Sequence, residues 1–226
     1  YYAAYALETY SGVMVTGSHN PADYNGLKML LGKESIAGEA IQSLLTRLET
    51  GDLATGAGSY STQDISEAYY TRILGDVTLN RSMNVIVDAG NGVPGAYAPV
   101  LLRRLGCKVR ELFCEVDGTF PNHHPDPSQP ANLQDLIHAL ANTDAELGLA
   151  FDGDGDRLGV VTKGGDIIYP DRQLMLFAAD VLARKPGAKI IYDVKSTRNL
   201  APWIRKHGGE PVLCRTGHSY IKQKIV

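Results

Sequence analysis

Cysteine is scarce in this 226-residue chain: Cys107, Cys114 and Cys214 are the three it has, and no two form a C-x-x-C pair. An odd number without that spacing argues against a disulfide framework and against a cysteine zinc site, so a reduced, cytoplasmic compartment is expected. Long apolar runs are missing too. No stretch approaches the roughly 20 residues of a membrane-spanning helix, and no membrane partner is expected. Neither sign of charge dominates: the formal net charge is −3, and without a basic stripe nucleic acid is not an expected partner. The chain also lacks an initiating methionine and a signal-peptide pattern. It starts YYAAYALE and stops at IKQKIV, within a helical pattern that has no capping residue, so a piece of a longer protein is expected. Its hydrophobic content of 44% is ordinary for a globular protein, and its length suits one large or two smaller domains.

What the sequence does contain is an alternation of apolar runs and helical patterns. GVMVT (12–16) reads as a buried strand, and Ile36, Ile41, Leu44, Leu45 and Leu48 recur at helical spacing. GDLATGAGSYS (51–61) reads as a linker, followed by a helix over 64–74. Strands NVIVDA and KVRELF flank a helix near 96–105, and the proline-rich loop 120–133 precedes a helix near 133–142. LGLAF, LGVVT and IIY then lead to a helix near 172–185, strand KIIYD, a helix near 197–206, strand EPVLC and a terminal helix. This order predicts α/β units with largely parallel sheets, although LGLAF and LGVVT lie too close together for a crossover helix. Three apolar runs end in aspartate, at Asp88, Asp152 and Asp193, where α/β folds place their chemistry.

Residues 150–161 read AFDGDGDRLGVV, with Asp152, Asp154 and Asp156 at alternate positions. Carboxylates this close repel unless a cation compensates, and the intervening glycines let the backbone bend tightly enough to converge them. Hard oxygen ligands suit Mg²⁺ or Ca²⁺. An EF-hand loop starting at Asp152 would need glycine and glutamate where Arg157 and Lys163 stand, so that reading fails. A plain solvated acidic turn and a divalent cation site both remain. Mg²⁺ commonly completes its shell with a phosphate group.

A phosphate could come from TGSHNP (16–21), where Ser18 follows the GVMVT strand. The plain alternative is a serine in a capping turn. A hydrolase nucleophile elbow is excluded because Thr16 and Asn20 stand where glycine is needed. A phosphorylated Ser18 would bring roughly −1.5 to −2 charge and three acceptor oxygens. Three carboxylates and that phosphate total about −5, against +2 from Mg²⁺, so cationic side chains should gather nearby. Arg157, Lys28, Lys195 and His218 are candidates, and each taken alone could be an ordinary surface charge.

Two phosphate-binding patterns compete. Gly32-Lys33 fails as a Walker A loop, because the upstream glycine is one residue too far and Glu34 replaces Ser/Thr. GNGVPG (90–95) matches a dinucleotide fingerprint: it follows a strand, opens a helix, and has Glu111 about 20 residues on. The same glycines serve any tight strand-to-helix turn. His123 and His124, adjacent in the proline-rich loop, read as loop structure.

In this order, TGSHNP, DGDGDR, DVKSTR and RTGHS resemble the α-D-phosphohexomutase family along nearly the whole chain, most of all its bacterial phosphomannomutase/phosphoglucomutase branch. The resemblance implies Rossmann-like mixed α/β units in a multi-domain phosphohexomutase architecture. It implies the end of a first domain over 1–62, a second over 63–166 and the start of a third over 167–226, with the rest of the third and a fourth absent. It implies that Ser18 is the phosphoserine and binds Mg²⁺ together with Asp152, Asp154 and Asp156. It further implies that His19, Lys28, Arg157, Lys195 and His218 line the active site, and Arg198 lies in the matching DVKSTR. The implied reaction moves a phosphoryl group between O1 and O6 of a hexose phosphate, mannose or glucose, through a hexose 1,6-bisphosphate. Lys28 and His218 are candidates for the base that takes the sugar proton. The implied partners are hexose 1- and 6-phosphates and the bisphosphate, and the parent enzyme is expected to be a monomer. Two alternatives stand beside this: a haloacid-dehalogenase-type phosphatase with Asp152 as nucleophile, and a dinucleotide- or ion-binding module.

Overall fold

The structure is a computed structural model that describes residues 1–225, the side chains of His218 and Gln223 excepted. It divides into two compact units, Tyr1–Asn80 and a second from Arg81 onward. No helix among the described residues is long and apolar enough to cross a membrane.

The first unit opens with α1 (Tyr2–Ala6), followed by β1 (Gly12–Val15), β2 (Leu27–Leu31) and β3 (Glu34–Ser35). These strands form an antiparallel meander in the order β1-β2-β3. The expected strand at 12–16 is present, but it is not buried: Val13 and Val15 are 62% and 64% exposed. The short elements of this unit leave β1 uncovered. The sequence reading assigned neither β2 nor β3. Gly32 and Lys33, considered there only as a failed phosphate loop, both have positive φ (56° and 77°) and form the two-residue β2–β3 turn. Positive φ at both central positions is the type I′ geometry that matches strand twist. Helix α2 (Glu39–Thr50) carries Ile41, Leu44, Leu45 and Leu48 as expected and ends at Gly51, whose φ of 70° suits a left-handed cap. Ile36 precedes it, donating its N–H to the Met29 carbonyl of β2. The α2 stripe is largely exposed at Ile41, Leu45 and Leu48. Residues 52–61 are exposed and without regular structure, as a linker should be, before α3 (Ser66–Asp76).

The second unit holds a mixed five-stranded sheet in the order β5-β4-β6-β7-β8. β4 (Asn84–Asp88) runs parallel to β5 (Lys108–Leu112) and to β6 (Leu147–Phe151), with α4 (Ala98–Arg104) and α5 (Gln134–Ala141) in the connections. β7 (Leu158–Thr162) then returns antiparallel to β6 and pairs with β8 (Ile167–Ile168). The short link between LGLAF and LGVVT is therefore a hairpin. Ile86, Leu136, Leu140 and Val161 are fully buried in the core between α5 and the sheet. Gly148 admits α5 closely, since a Cβ there would stand 2.8 Å from Leu136 Cδ1.

Beyond β8, α6 (Pro170–Arg184) starts with proline at its first position, where the missing N–H costs nothing. β9 (Lys189–Asp193), α7 (Leu200–Lys206), β10 (Glu210–Cys214) and α8 (His218–Ile225) follow, with β9 and β10 parallel. Leu182, Leu200 and Ile204 form a second core. Buried Gln173 joins α6 to the sheet by donating from Nε2 to the Ile168 and Leu158 carbonyls, at 2.8 and 3.2 Å.

Candidate active site

In the first unit, the loop after β1 is tied together by backbone hydrogen bonds. Thr16 N–H donates to Gly26 O (2.9 Å), and Asn20 N–H to Gly17 O (3.0 Å). Gly17 is needed here, because a Cβ would stand 2.9 Å from Tyr24 O. Ser18 has φ of 54°, a left-handed conformation uncommon for a side-chain-bearing residue and typical of functional loops. Its N–H donates to Thr16 Oγ1 (2.8 Å), and its Oγ lies 3.3 Å from His19 Nδ1. Ser18, His19 and Lys28 are all half-buried, with Lys28 on β2 opposite Met14 of β1. The Ser18 hydroxyl thus sits beside the imidazole of the next residue, in a loop with left-handed backbone at the serine.

In the second unit, the aspartate turn is the β6–β7 connection, at the carboxyl end of β6. Asp152 is fully buried, Asp154 half-buried and Asp156 exposed, and one carboxylate oxygen of each lies within 4.8 Å of the others. Asp152 organises the turn. Its Oδ1 accepts Arg157 N–H (3.0 Å), its own N–H reaches Arg157 O (3.3 Å), and its carbonyl accepts Gly155 N–H (3.0 Å). Three converging hard oxygen donors, one fully buried, fit a divalent cation and give no thiolate or imidazole alternative. Arg157 is exposed beside them.

At the β9 and β10 ends, Asp193 ties two loops together. Its Oδ1 accepts Lys195 N–H (3.0 Å) and its Oδ2 accepts the Thr216 hydroxyl (3.0 Å). The Thr197 N–H donates to Asp171 Oδ2 of α6 (2.9 Å). DVKSTR and RTGHS are thus neighbours, with exposed Lys195 and Arg198 presented from the first. His218 opens α8, and its side chain lies outside the described residues. The sequence marks Asp193 as a strand-end aspartate without giving its partners, and Asp171, an aspartate at a helix start, was not singled out.

The dinucleotide reading of GNGVPG meets an obstacle. The second glycine of such a fingerprint must let the backbone approach a pyrophosphate. Here that approach is taken by protein: a Cβ on Gly92 would stand 2.8 Å from Gly153 Cα. Glu111, the would-be ribose acceptor, is paired with Arg103 at 2.6 Å. The loop reading of His123 is also incomplete, since His123 is paired with buried Asp88.

Family models for phosphoglucomutase/phosphomannomutase match along the chain: α/β/α domain I over residues 1–54, domain II over 67–165 and domain III over 169–226. The chain belongs to this family. It is 65% identical over 217 residues to a phosphoglucomutase of Neisseria gonorrhoeae, covering 95% of this chain and 47% of that protein. It is 58% identical over 225 residues to a phosphomannomutase/phosphoglucomutase of Pseudomonas aeruginosa, covering 100% of this chain and 49% of the relative. Among solved structures, a Burkholderia thailandensis phosphoglucomutase/phosphomannomutase family protein superposes with a TM-score of 0.93 at 60% identity, over 95% of this chain and 47% of the other. The chain spans about half the length of the curated relatives it matches. In family terms, the Ser18 loop lies in the domain I match, the aspartate turn in domain II, and Lys195 and Arg198 in domain III. Membership favours neither the phosphatase nor the nucleotide-binding alternative.

Proposed function

We propose that this chain is part of a hexose phosphate isomerase that moves a phosphoryl group between O1 and O6 of glucose or mannose phosphates. The observation that carries the reading is Ser18, a half-buried serine in left-handed backbone with its hydroxyl 3.3 Å from an imidazole. Support comes from the family match and from relatives named phosphoglucomutase and phosphomannomutase/phosphoglucomutase.

In this account, Ser18 carries the phosphate. The P–O bond to Ser18 Oγ breaks as a sugar hydroxyl oxygen forms a bond to the same phosphorus, and the hydroxyl proton passes to a base, Lys28 or His218. The base hands that proton on to Ser18 Oγ as it leaves, so the serine is a neutral hydroxyl while the bisphosphate turns around. On the return the other phosphoryl group bonds to Ser18 Oγ, and the serine proton passes through the base to the released sugar oxygen. Such transfer needs in-line positioning and neutralised charge more than covalent help. His19 holds the serine oxygen, Arg157 faces phosphate charge, and Lys195 and Arg198 hold the distal phosphate of the substrate. Asp152, Asp154 and Asp156, with the phosphate on Ser18, are the ligands we assign to Mg²⁺, which when bound would neutralise phosphoryl charge.

We assign residues 1–62, 63–166 and 167–226 to three successive domains of a cytoplasmic, monomeric enzyme. By itself the 226-residue chain is expected to bind Mg²⁺ without sustained interconversion, since it spans about half of its relatives. In the whole protein, Ser18→Ala should remove nearly all turnover while leaving the fold intact by circular dichroism. Full activity in that variant would end this reading.

A further inference from the structure

Asp88 closes β4, its side chain fully buried, and its carboxylate faces His123, whose Nε2 lies 3.1 Å from both oxygens. The other ring nitrogen, Nδ1, is 3.0 Å from the His124 carbonyl oxygen, which can only accept. An ionised Asp88 therefore asks for a proton on both nitrogens. In keeping with this, the hydrogen bond to Asp88 raises the His123 pKa above its ordinary value, against the opposing effect of burial. Phe113 packs edge-on against the ring at 5.4 Å.

The pair leads to the aspartate turn. Asp88 Oδ1 also accepts Gly90 N–H (2.9 Å), which sets the start of the glycine turn. A Cβ on Gly90 would stand 3.0 Å from His123 Cε1. Three residues on, Val93 N–H donates to Gly153 O (3.0 Å), between Asp152 and Asp154. Gly92 lies against Gly153, and a Cβ on Gly155 would stand 2.7 Å from Pro94 Cγ. Asn91, with φ of 63°, anchors the same turn on its far side by donating to Glu115 O (2.8 Å) and accepting from Asn122 Nδ2 (2.7 Å).

We propose that the Asp88–His123 pair is a positioning device for the aspartate turn: it sets the glycine turn on which Gly153 rests, and through it the convergence of Asp152 and Asp154. The physical need is clear. Three carboxylates within 4.8 Å push apart when no cation is bound, and a rigid support limits that relaxation. A glycine-rich turn that mimics a nucleotide fingerprint is then a close-packed support, in which Gly92 and Gly95 lie directly against the backbone of Gly153 and Cys114. The second half of the inference, the effect on a cation, rests on the metal reading above.

The test compares His123→Ala, His123→Gln and Gly92→Ala with Leu140→Ala, a core control that does not touch the turn. Hydrogen exchange on the 226-residue chain reads the protected amides of Asp152, Gly155 and Arg157. His123→Ala and Gly92→Ala should exchange several-fold faster there than the control, with His123→Gln, which keeps a donor toward Asp88, in between. If His123→Ala does not fold, Gly92→Ala and His123→Gln decide. Exchange no faster than in Leu140→Ala, or faster only at residues 120–124, overturns the proposal. Mn²⁺ titration should show a dissociation constant raised roughly ten- to a hundred-fold, as for other groups that orient metal ligands. A native chain that takes up no Mn²⁺ contradicts the metal reading, and exchange then decides this one alone.

Discussion

At the scale of single residues, environment determines chemistry more than residue type does. Cys107, Cys114 and Cys214 are all free and buried, as expected of thiols outside a disulfide framework. Burial pushes the Cys114 thiol up to about 11, so at neutral pH it should resist iodoacetamide in the folded chain and react once unfolded; rapid labelling of native Cys114 by mass mapping would contradict this. His123 is shifted in the opposite sense to a desolvated histidine, because the hydrogen bond to Asp88, then the His124 carbonyl and more weakly Asp135, favour its charged form. A raised folded value means stability that is fully present below the ordinary value near 6.5 and is lost as pH rises through the raised one. The stability advantage of the native chain over His123→Gln, from urea midpoints, should therefore shrink above that pH; an advantage that grows would refute the pairing. Asp154→Asn removes one charge at nearly constant size, and should weaken Mg²⁺ binding and slow phosphoryl transfer together. The convergence of Asp152, Asp154 and Asp156 was legible, because spacing and glycines carry its signal. The role of His123 was not, since its partner is 35 positions away.

Elements were legible where periodicity was strong and contacts were local. β4, β6 and α5 follow their apolar patterns closely, and so does the hairpin implied by the short link between LGLAF and LGVVT. β2 is not legible in the sequence because LKMLL carries a lysine inside an apolar run and does not alternate. Its partner turn, Gly32-Lys33, is a hairpin signal that a search for phosphate loops obscures. Burial was less legible than secondary structure: β1 has the composition of a buried strand, yet its residues stay exposed, because burial depends on what else packs against the sheet. Where a core does form, its cost of disruption is calculable. Leu140 is fully buried between α5 and the sheet, so Leu140→Ala should destabilise the chain by about 2–5 kcal/mol in urea unfolding. A loss below about 1 kcal/mol would mean that α5 is not the lid of this core.

For the whole molecule, the family places three loops from three domains in one chain, each at the end of a strand and each braced by an aspartate or a glycine contact. Our central claim is that the first of these loops carries the phosphate that the reaction transfers. The most direct measurement is intact mass followed by peptide mapping, after the full-length protein is incubated with hexose 1,6-bisphosphate and Mg²⁺ and quenched. The account predicts one added phosphate, on Ser18, stable in acid as a phosphoserine and absent from Ser18→Ala. A phosphate found on Asp152, labile as an acyl phosphate, or no covalent phosphate at any point in turnover, would contradict it.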